Sequence, residues 1–182
     1  MLKLENTPLK DCFLLKPSVF EDERGTFYES YNQRRFEETT GLEINFVQDN
    51  QSTSQKGVLR GFHFQTGAHA QAKLVRAVAG EVLDVVVDLR PDSPTFKESF
   101  KIVLSNENKM ELFVPAGFAH GFLTISKASV FAYKCDNYYN KESEAGIIWN
   151  DPTLNIDWEI PEKDIILSEK DALLPTFEEL EL

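Results

Sequence analysis

Short apolar and aromatic runs, broken every few residues by Gly, Pro, Asn or Asp, recur from Phe13 to Cys135. A chain with this rhythm has little room for long helices. The runs predict strands at Phe13–Lys16, Thr26–Tyr31, Asn45–Asn50, Val58–Gln65, Leu74–Val78, Glu81–Asp88, Ser99–Ser105, Glu111–Val114, Gly121–Ile125 and Val130–Cys135. Their length and spacing suit an all-β sandwich or barrel rather than alternating βαβ units. Gly80 and the stretch Ser105-Asn106-Glu107-Asn108 have the composition of hairpin turns. One helix is expected over Gln33–Thr39, capped by Asn32 and stopped by Gly41. In the tail, Ser168 before Asp171 and Thr176 before Glu179 resemble capping boxes and predict two more short helical pieces. The tail is acidic yet carries Ile165, Leu167, Leu174 and Phe177, so it should pack back on the strands.

Composition narrows the function. With 182 residues, one domain spanning 1–182 is expected, large enough for a core without disulfides. The balance of 19 basic against 30 acidic residues, net -11, opposes non-specific binding to nucleic acid or an anionic membrane. A phosphorylated small ligand would need a local arginine cluster working against that field. No apolar run reaches the ~18 residues of a membrane helix, and the first residues lack a signal-peptide layout. Cys12 and Cys135 make neither a disulfide framework nor a metal motif, which fits a reducing, cytoplasmic setting.

Three segments carry candidate chemistry. In Arg60-Gly61-Phe62-His63-Phe64-Gln65, strict alternation puts Leu59, Gly61, His63 and Gln65 on one face. Arg60 then faces away unless a bulge at Gly61 turns it inward. In the strand from Lys73, the lysine shares a face with Val75 and Ala77; a rim lysine and a pocket lysine fit equally well. Pro115-Ala116-Gly117 leads through a tight loop toward His120, and a later strand carries Phe131, Tyr133 and Cys135 on one side. A metal centre is not expected: the chain has three histidines, with His-x-Gln where a metal barrel would carry His-x-His, and Lys73 beside it. No dinucleotide fingerprint, P-loop or nucleophile elbow occurs.

Taken together, Arg60-Gly61-Phe62-His63-Phe64-Gln65, Lys73, Pro115-x-Gly117-x-x-His120-Gly121-Phe122, Tyr133 and Tyr139 resemble the cupin-type nucleotide-sugar epimerases. Asp22-Glu23-Arg24-Gly25, Phe46-Val47-Gln48-Asp49-Asn50, Trp149-Asn150-Asp151 and Ser168-Glu169-Lys170-Asp171 extend the likeness over nearly the whole chain. The resemblance implies a mainly β, cupin jelly-roll barrel, a homodimer, no metal and no cofactor. The implied reaction inverts C3 and C5 of dTDP-4-dehydro-6-deoxy-D-glucose, with no net oxidation.

By the same resemblance, His63 is the base and Asp171 its orienting carboxylate, in the general His–Asp pattern. Lys73 faces the developing enolate oxygen and Tyr133 returns a proton. An imidazole, with an ordinary pKa of about 6.5, is partly neutral at cell pH and suits the role of base. Arg24 and Arg60 would take the diphosphate, since guanidinium forks match phosphate oxygens. Glu29, Gln48 and Asn50 would read hydroxyls, and Tyr139 would stack on thymine. His120, Glu144 and Lys170 match further substrate contacts, although surface ion pairs explain the last two as well. Arg24 and Glu29, on strands that pair with a partner in this family, would complete the other subunit's site. A 3-epimerase, a ketoisomerase, a non-catalytic sugar-binding cupin and a metal-dependent oxygenase are the alternatives. Joint presence of His63, Asp171 and Tyr133 argues against the binding protein, and the shortage of ligands against the oxygenase.

Overall fold

A computed structural model of the chain describes residues 2–180. Its strands are β1 (Lys3–Asn6), β2 (Phe13–Lys16), β3 (Phe20–Asp22), β4 (Gly25–Phe27), β5 (Gln48–Gln55), β6 (Leu59–Gln65) and β7 (Lys73–Ala79). They continue with β8 (Glu81–Asp88), β9 (Ser99–Ser105), β10 (Glu111–Val114), β11 (Phe118–Thr124), β12 (Ala128–Cys135) and β13 (Glu144–Gly146). A six-stranded sheet, ordered β1-β2-β10-β7-β12-β5, faces a five-stranded sheet, ordered β13-β6-β11-β8-β9. From β5 to β13 the chain crosses repeatedly between the two sheets, which makes the jelly roll of a cupin. The ribbon β3–β4 stands apart as a sheet of its own.

Alternation sorts the side chains into an interior and two flanks. Val75, Ala77, Val82, Val86, Leu112, Phe122 and Phe131 fill the space between the sheets. Leu59, Phe62, Phe64, Leu83, Val85 and Leu123 form the outer face of the five-stranded sheet, covered by Ile147, Trp158 and Phe177 of the tail. On the other flank, Phe13, Leu15, Leu74 and Phe113 lie under the helix α1 (Gln33–Thr40) through Phe36. α1 begins and ends as its sequence predicts: the Asn32 side chain accepts from the Arg35 amide, and Gly41 closes it in the left-handed region.

Several expectations need correction. Gly80 turns no hairpin, because β7 and β8 lie in different sheets. It passes the chain around a corner at φ 73°. The stretch Ser105–Asn108 is the matching corner between β9 and β10, and the two corners brace each other. The Gly80 amide donates to Asn106 Oδ1 (2.8 Å) and the Asn106 amide to the Gly80 carbonyl (3.2 Å). The strand expected at Asn45–Asn50 instead starts at Gln48 and runs to Gln55. Polar throughout, it lies at the edge of the six-stranded sheet, paired with β12. The run Thr26–Tyr31 keeps strand structure only to Phe27, because β3 is its sole partner. β1, β3 and β13, each of three or four residues, were not expected at all.

The tail folds back as predicted, with its helical pieces reduced to single 3-10 turns at Asp171–Leu173 and Phe177–Glu179. Three anchors hold it. Ile166 bridges Val58 through the Ile166 amide to the Gly57 carbonyl (2.8 Å) and the Leu59 amide to the Ile166 carbonyl (3.0 Å). The Ile148 amide donates to the Pro175 carbonyl (2.8 Å), and the Phe177 amide to buried Asp151 (2.7 Å).

Candidate active site

The site begins with an irregularity in β6. Opposite β11, His63 pairs with His120 but Arg60 pairs with Phe122, so β6 carries one extra residue. Arg60 and His63 are three residues apart, an odd separation that strict alternation would send to opposite faces. The bulge restores even parity, and both residues line one pocket of about 470 Å³ at the barrel mouth. It also turns Leu59 outward, away from the face on which alternation had put it with His63.

The tail delivers Asp171 to this pocket. His63 Nε2 lies 2.7 Å from Asp171 Oδ1; the imidazole side chain is 32% exposed and the carboxylate 6%. Ser168 Oγ accepts from the Asp171 amide at 3.0 Å, which is half of a capping box. The other half never forms with Ser168, since the Asp171 carboxylate is spent on His63 and the Gly61 amide. Burial works to raise the Asp171 pKa, but these bonds and the His63 charge outweigh it and hold the group below the usual carboxylate value.

Lys73, at the start of β7, is buried, and its Nζ reaches the His63 carbonyl at 3.5 Å. The pocket lysine is therefore the correct alternative, not the rim lysine. Burial pushes its pKa down, against the opposing pull of Cys135, Asp84 and Glu144. Tyr133 stands on β12, in the sheet opposite His63, and lines the same pocket. Burial raises its phenol pKa, so it stays a proton donor at neutral pH. Arg60 Nε donates to Ser54 Oγ on β5 (3.1 Å).

A neighbouring cavity of about 540 Å³ shares His63, Lys73 and Tyr133 and adds Gln48, Asn50, Tyr139 and Glu144. Here Tyr139 is fixed at both ends. Its amide donates to Gln48 Oε1 (3.0 Å) and its hydroxyl to Glu144 Oε2 (2.9 Å). Lys170 Nζ meets the same Glu144 oxygen at 2.6 Å. Gln48 also donates to Asn50 Oδ1 (3.2 Å).

Two expected residues do not join them. Arg24, 85% exposed, tips the β3–β4 ribbon and pairs with Asp22. Glu29 pairs with Arg35 at 3.0 Å and lines a separate hollow beside α1. His120 does reach the pocket, and behind it lies a residue the sequence reading missed. Asp84, fully buried on β8, bonds His120 Nε2 through Oδ2 at 2.8 Å, while its Oδ1 has no hydrogen-bond partner among the described residues. The available signal was a lone carboxylate in the apolar run Val82-Leu83-Asp84-Val85-Val86, where a charge is not left without a partner. Ser54 and Ser168 gave no comparable signal. Among the described residues, no group of three or more His, Cys, Asp or Glu is arranged to hold a metal ion.

His63 and Tyr133 face one pocket from opposed sheets, and the buried amine of Lys73 lines it with them. Residues 6–179 match the family described as dTDP-4-dehydrorhamnose 3,5-epimerase. The protein of that name from Salmonella typhimurium is 50% identical over 98% of this chain and 97% of its own length. The crystal structure of the Elizabethkingia anophelis dTDP-4-dehydrorhamnose 3,5-epimerase is 59% identical, covers 97% of both chains and superposes with a TM-score of 0.93. A Legionella pneumophila epimerase, solved in complex with dTDP-4-keto-L-rhamnose, is 46% identical with a TM-score of 0.95, over 100% of this chain and 95% of that one.

Proposed function

The chain belongs to the dTDP-4-dehydrorhamnose 3,5-epimerase family, and on that footing we propose how its residues divide the work. The reaction inverts C3 and C5 of dTDP-4-dehydro-6-deoxy-D-glucose, the carbons that flank its C4 ketone, and yields dTDP-4-dehydro-L-rhamnose. A hydrogen next to a ketone is weakly acidic, so the catalyst must supply a base, a stabiliser for the enolate oxygen and an acid on the far face.

His63 takes the C3 proton, and the electrons of that bond move onto the C4 oxygen. The 2.7 Å contact with Asp171 orients the ring and stabilises the imidazolium that forms. Lys73 stabilises the enolate: its ammonium is buried, so its field is weakly screened. Tyr133 gives its phenolic proton to C3 from the opposite wall, and solvent later returns a proton to the phenolate and takes one from the imidazolium. The same cycle at C5 completes the product. One proton leaves and one returns at each carbon, so no electron acceptor is needed.

Arg60 and His120 hold the diphosphate-sugar end in the first cavity. Gln48, Asn50, Tyr139, Glu144 and Lys170 build the nucleoside wall in the second, with Tyr139 stacked on the pyrimidine. Arg24 and Glu29 serve the pocket of a second copy in a homodimer; their distance from their own pocket supports this reading. Residues 1–182 work as one cupin-like unit. Two free, buried cysteines support a reducing, cytoplasmic setting, and the net charge of -11 speaks against nucleic acid or membrane as partners.

The observation that carries this reading is His63 and Tyr133 on opposed sheets around one buried lysine. The test is incubation with dTDP-4-dehydro-6-deoxy-D-glucose in deuterated water, read by mass spectrometry and NMR. Deuterium is expected at both C3 and C5. Label at C3 alone would make the protein a single epimerase, and no label would remove the acid–base assignment.

A further inference from the structure

The sequence singles out Gln65, two residues from His63, yet the reaction gives it nothing to do. Its side chain is buried, and both ends of its amide bond the backbone of one residue. Gln65 Nε2 donates to the Asn140 carbonyl (2.9 Å), and the Asn140 amide donates to Gln65 Oε1 (2.8 Å). This is the pairing pattern of a β-ladder, made by a side chain.

Asn140 lies next to Tyr139 in the connection that carries the chain from β12 to β13, across the barrel mouth. Its own side chain caps the following turn, accepting from the Glu142 and Ser143 amides at 2.9 and 3.2 Å. That turn delivers Glu144, which pairs with Gln65 in the sheet register. The clamp therefore closes a ring from Gln65 through Asn140 to Glu144 and back. Tyr139 sits at the start of this ring, and its hydroxyl ends on Glu144.

We propose that Gln65 is a positioning residue for nucleotide recognition: it pre-sets the segment that presents Tyr139 and Glu144. This inference rests on the assignment of Tyr139 to the pyrimidine. A preformed wall binds more tightly than one that must be ordered by its ligand, because the ordering cost is met in advance. Ring and clamp belong to the nucleotide end, so their loss should weaken binding without touching proton transfer.

Gln65→Met keeps the length of the side chain and removes both bonds. Binding of dTDP, measured by calorimetry, should weaken roughly tenfold, the worth of two modest hydrogen bonds. KM for the dTDP-sugar should rise in parallel, while kcat at saturation is retained. Gln65→Glu sets a carboxylate oxygen against the Asn140 carbonyl in a buried site, so it should weaken dTDP binding at least as far as Gln65→Met. In a Tyr139→Ala background, Gln65→Met should cost little more, because the two act through one contact.

Unchanged dTDP affinity in a folded Gln65→Met protein would overturn the proposal. So would a fall in kcat at constant KM, which would mean that Gln65 acts through His63 on its own strand. If Tyr139→Ala by itself left dTDP binding intact, the assignment of Tyr139 to the pyrimidine would be at fault. Faster exchange of the Asn140 amide in Gln65→Met would then still report the clamp.

Discussion

Burial sets the direction of the pKa shift at two of the proposed catalytic residues, Tyr133 and Lys73. Tyr133 has its phenol pKa raised by burial and stays protonated through neutral pH. Its removal should separate two events that share one base. In Tyr133→Phe, His63 still removes the proton and can return solvent label on the same face. Inversion should therefore fall by about 10²–10⁴-fold, the usual worth of a positioned acid, and hydrogen exchange by much less. Comparing deuterium wash-in with product formation checks this; equal losses would assign the acid elsewhere.

Lys73 has the opposite sensitivity. Burial lowers its pKa, while Cys135, Asp84 and Glu144 pull it back up. The ammonium is present below the lowered value and is lost as pH rises through it. The alkaline limb of kcat should therefore lie below the ordinary lysine range of about 10.4. Asp84→Asn removes one of the supporting anions and should move that limb to still lower pH. A limb that stayed in place would show that Asp84 supports only His120.

At the scale of elements, most strands were legible because their apolar residues repeat with period two. β2, β8, β9 and β10 begin and end at the predicted residues. The errors follow from the same signal. β5 carries no apolar residue, so its pattern reads as a loop although it pairs with β12 along its whole length. Gly80 reads as a hairpin because turn composition does not reveal whether the next strand joins the same sheet. The bulge in β6 was visible only as an option, yet it decides whether Arg60 and His63 share a pocket.

Gly61 makes that bulge at φ 124°, and a Cβ there would lie 2.5 Å from Gly121 Cα and 2.7 Å from the His120 carbonyl oxygen. Backbone atoms of the neighbouring strand cannot move aside as a flexible side chain would. Gly61→Ala should cost about 2 kcal/mol or more, lowering Tm by roughly 4–8 °C for a chain of this size. It should also reduce kcat/KM more than tenfold, since relief of the clash shifts the strand that carries Arg60 and His63. Thermal unfolding together with steady-state kinetics checks both. A stable but inactive protein would separate register from stability, whereas an active one would mean that the bulge does not set the site.

On the scale of the whole molecule, the pocket is a basic enclave in an acidic protein. Arg60, Lys73 and Lys170 line it against one carboxylate, Asp171, while the chain carries a net charge of -11. The remaining proposed arginine, Arg24, lies on the ribbon, where Phe20 and Phe27 are 64% and 71% exposed. Large aromatics held out in water on a separate ribbon fit a surface that a second copy covers. If Arg24 acts across that interface, two defects in different chains should complement each other. Lys73→Ala spoils a subunit's own pocket; Arg24→Ala spoils the pocket of its partner. A mixed dimer then has one pocket with both defects and one with neither. Refolding the two inactive variants together at equal amounts makes half of the dimers mixed, each with one good pocket of two. About a quarter of wild-type activity should return at limiting substrate, the value set by twofold symmetry. If Arg24 served its own pocket, every pocket in every dimer would keep one defect and mixing would restore nothing.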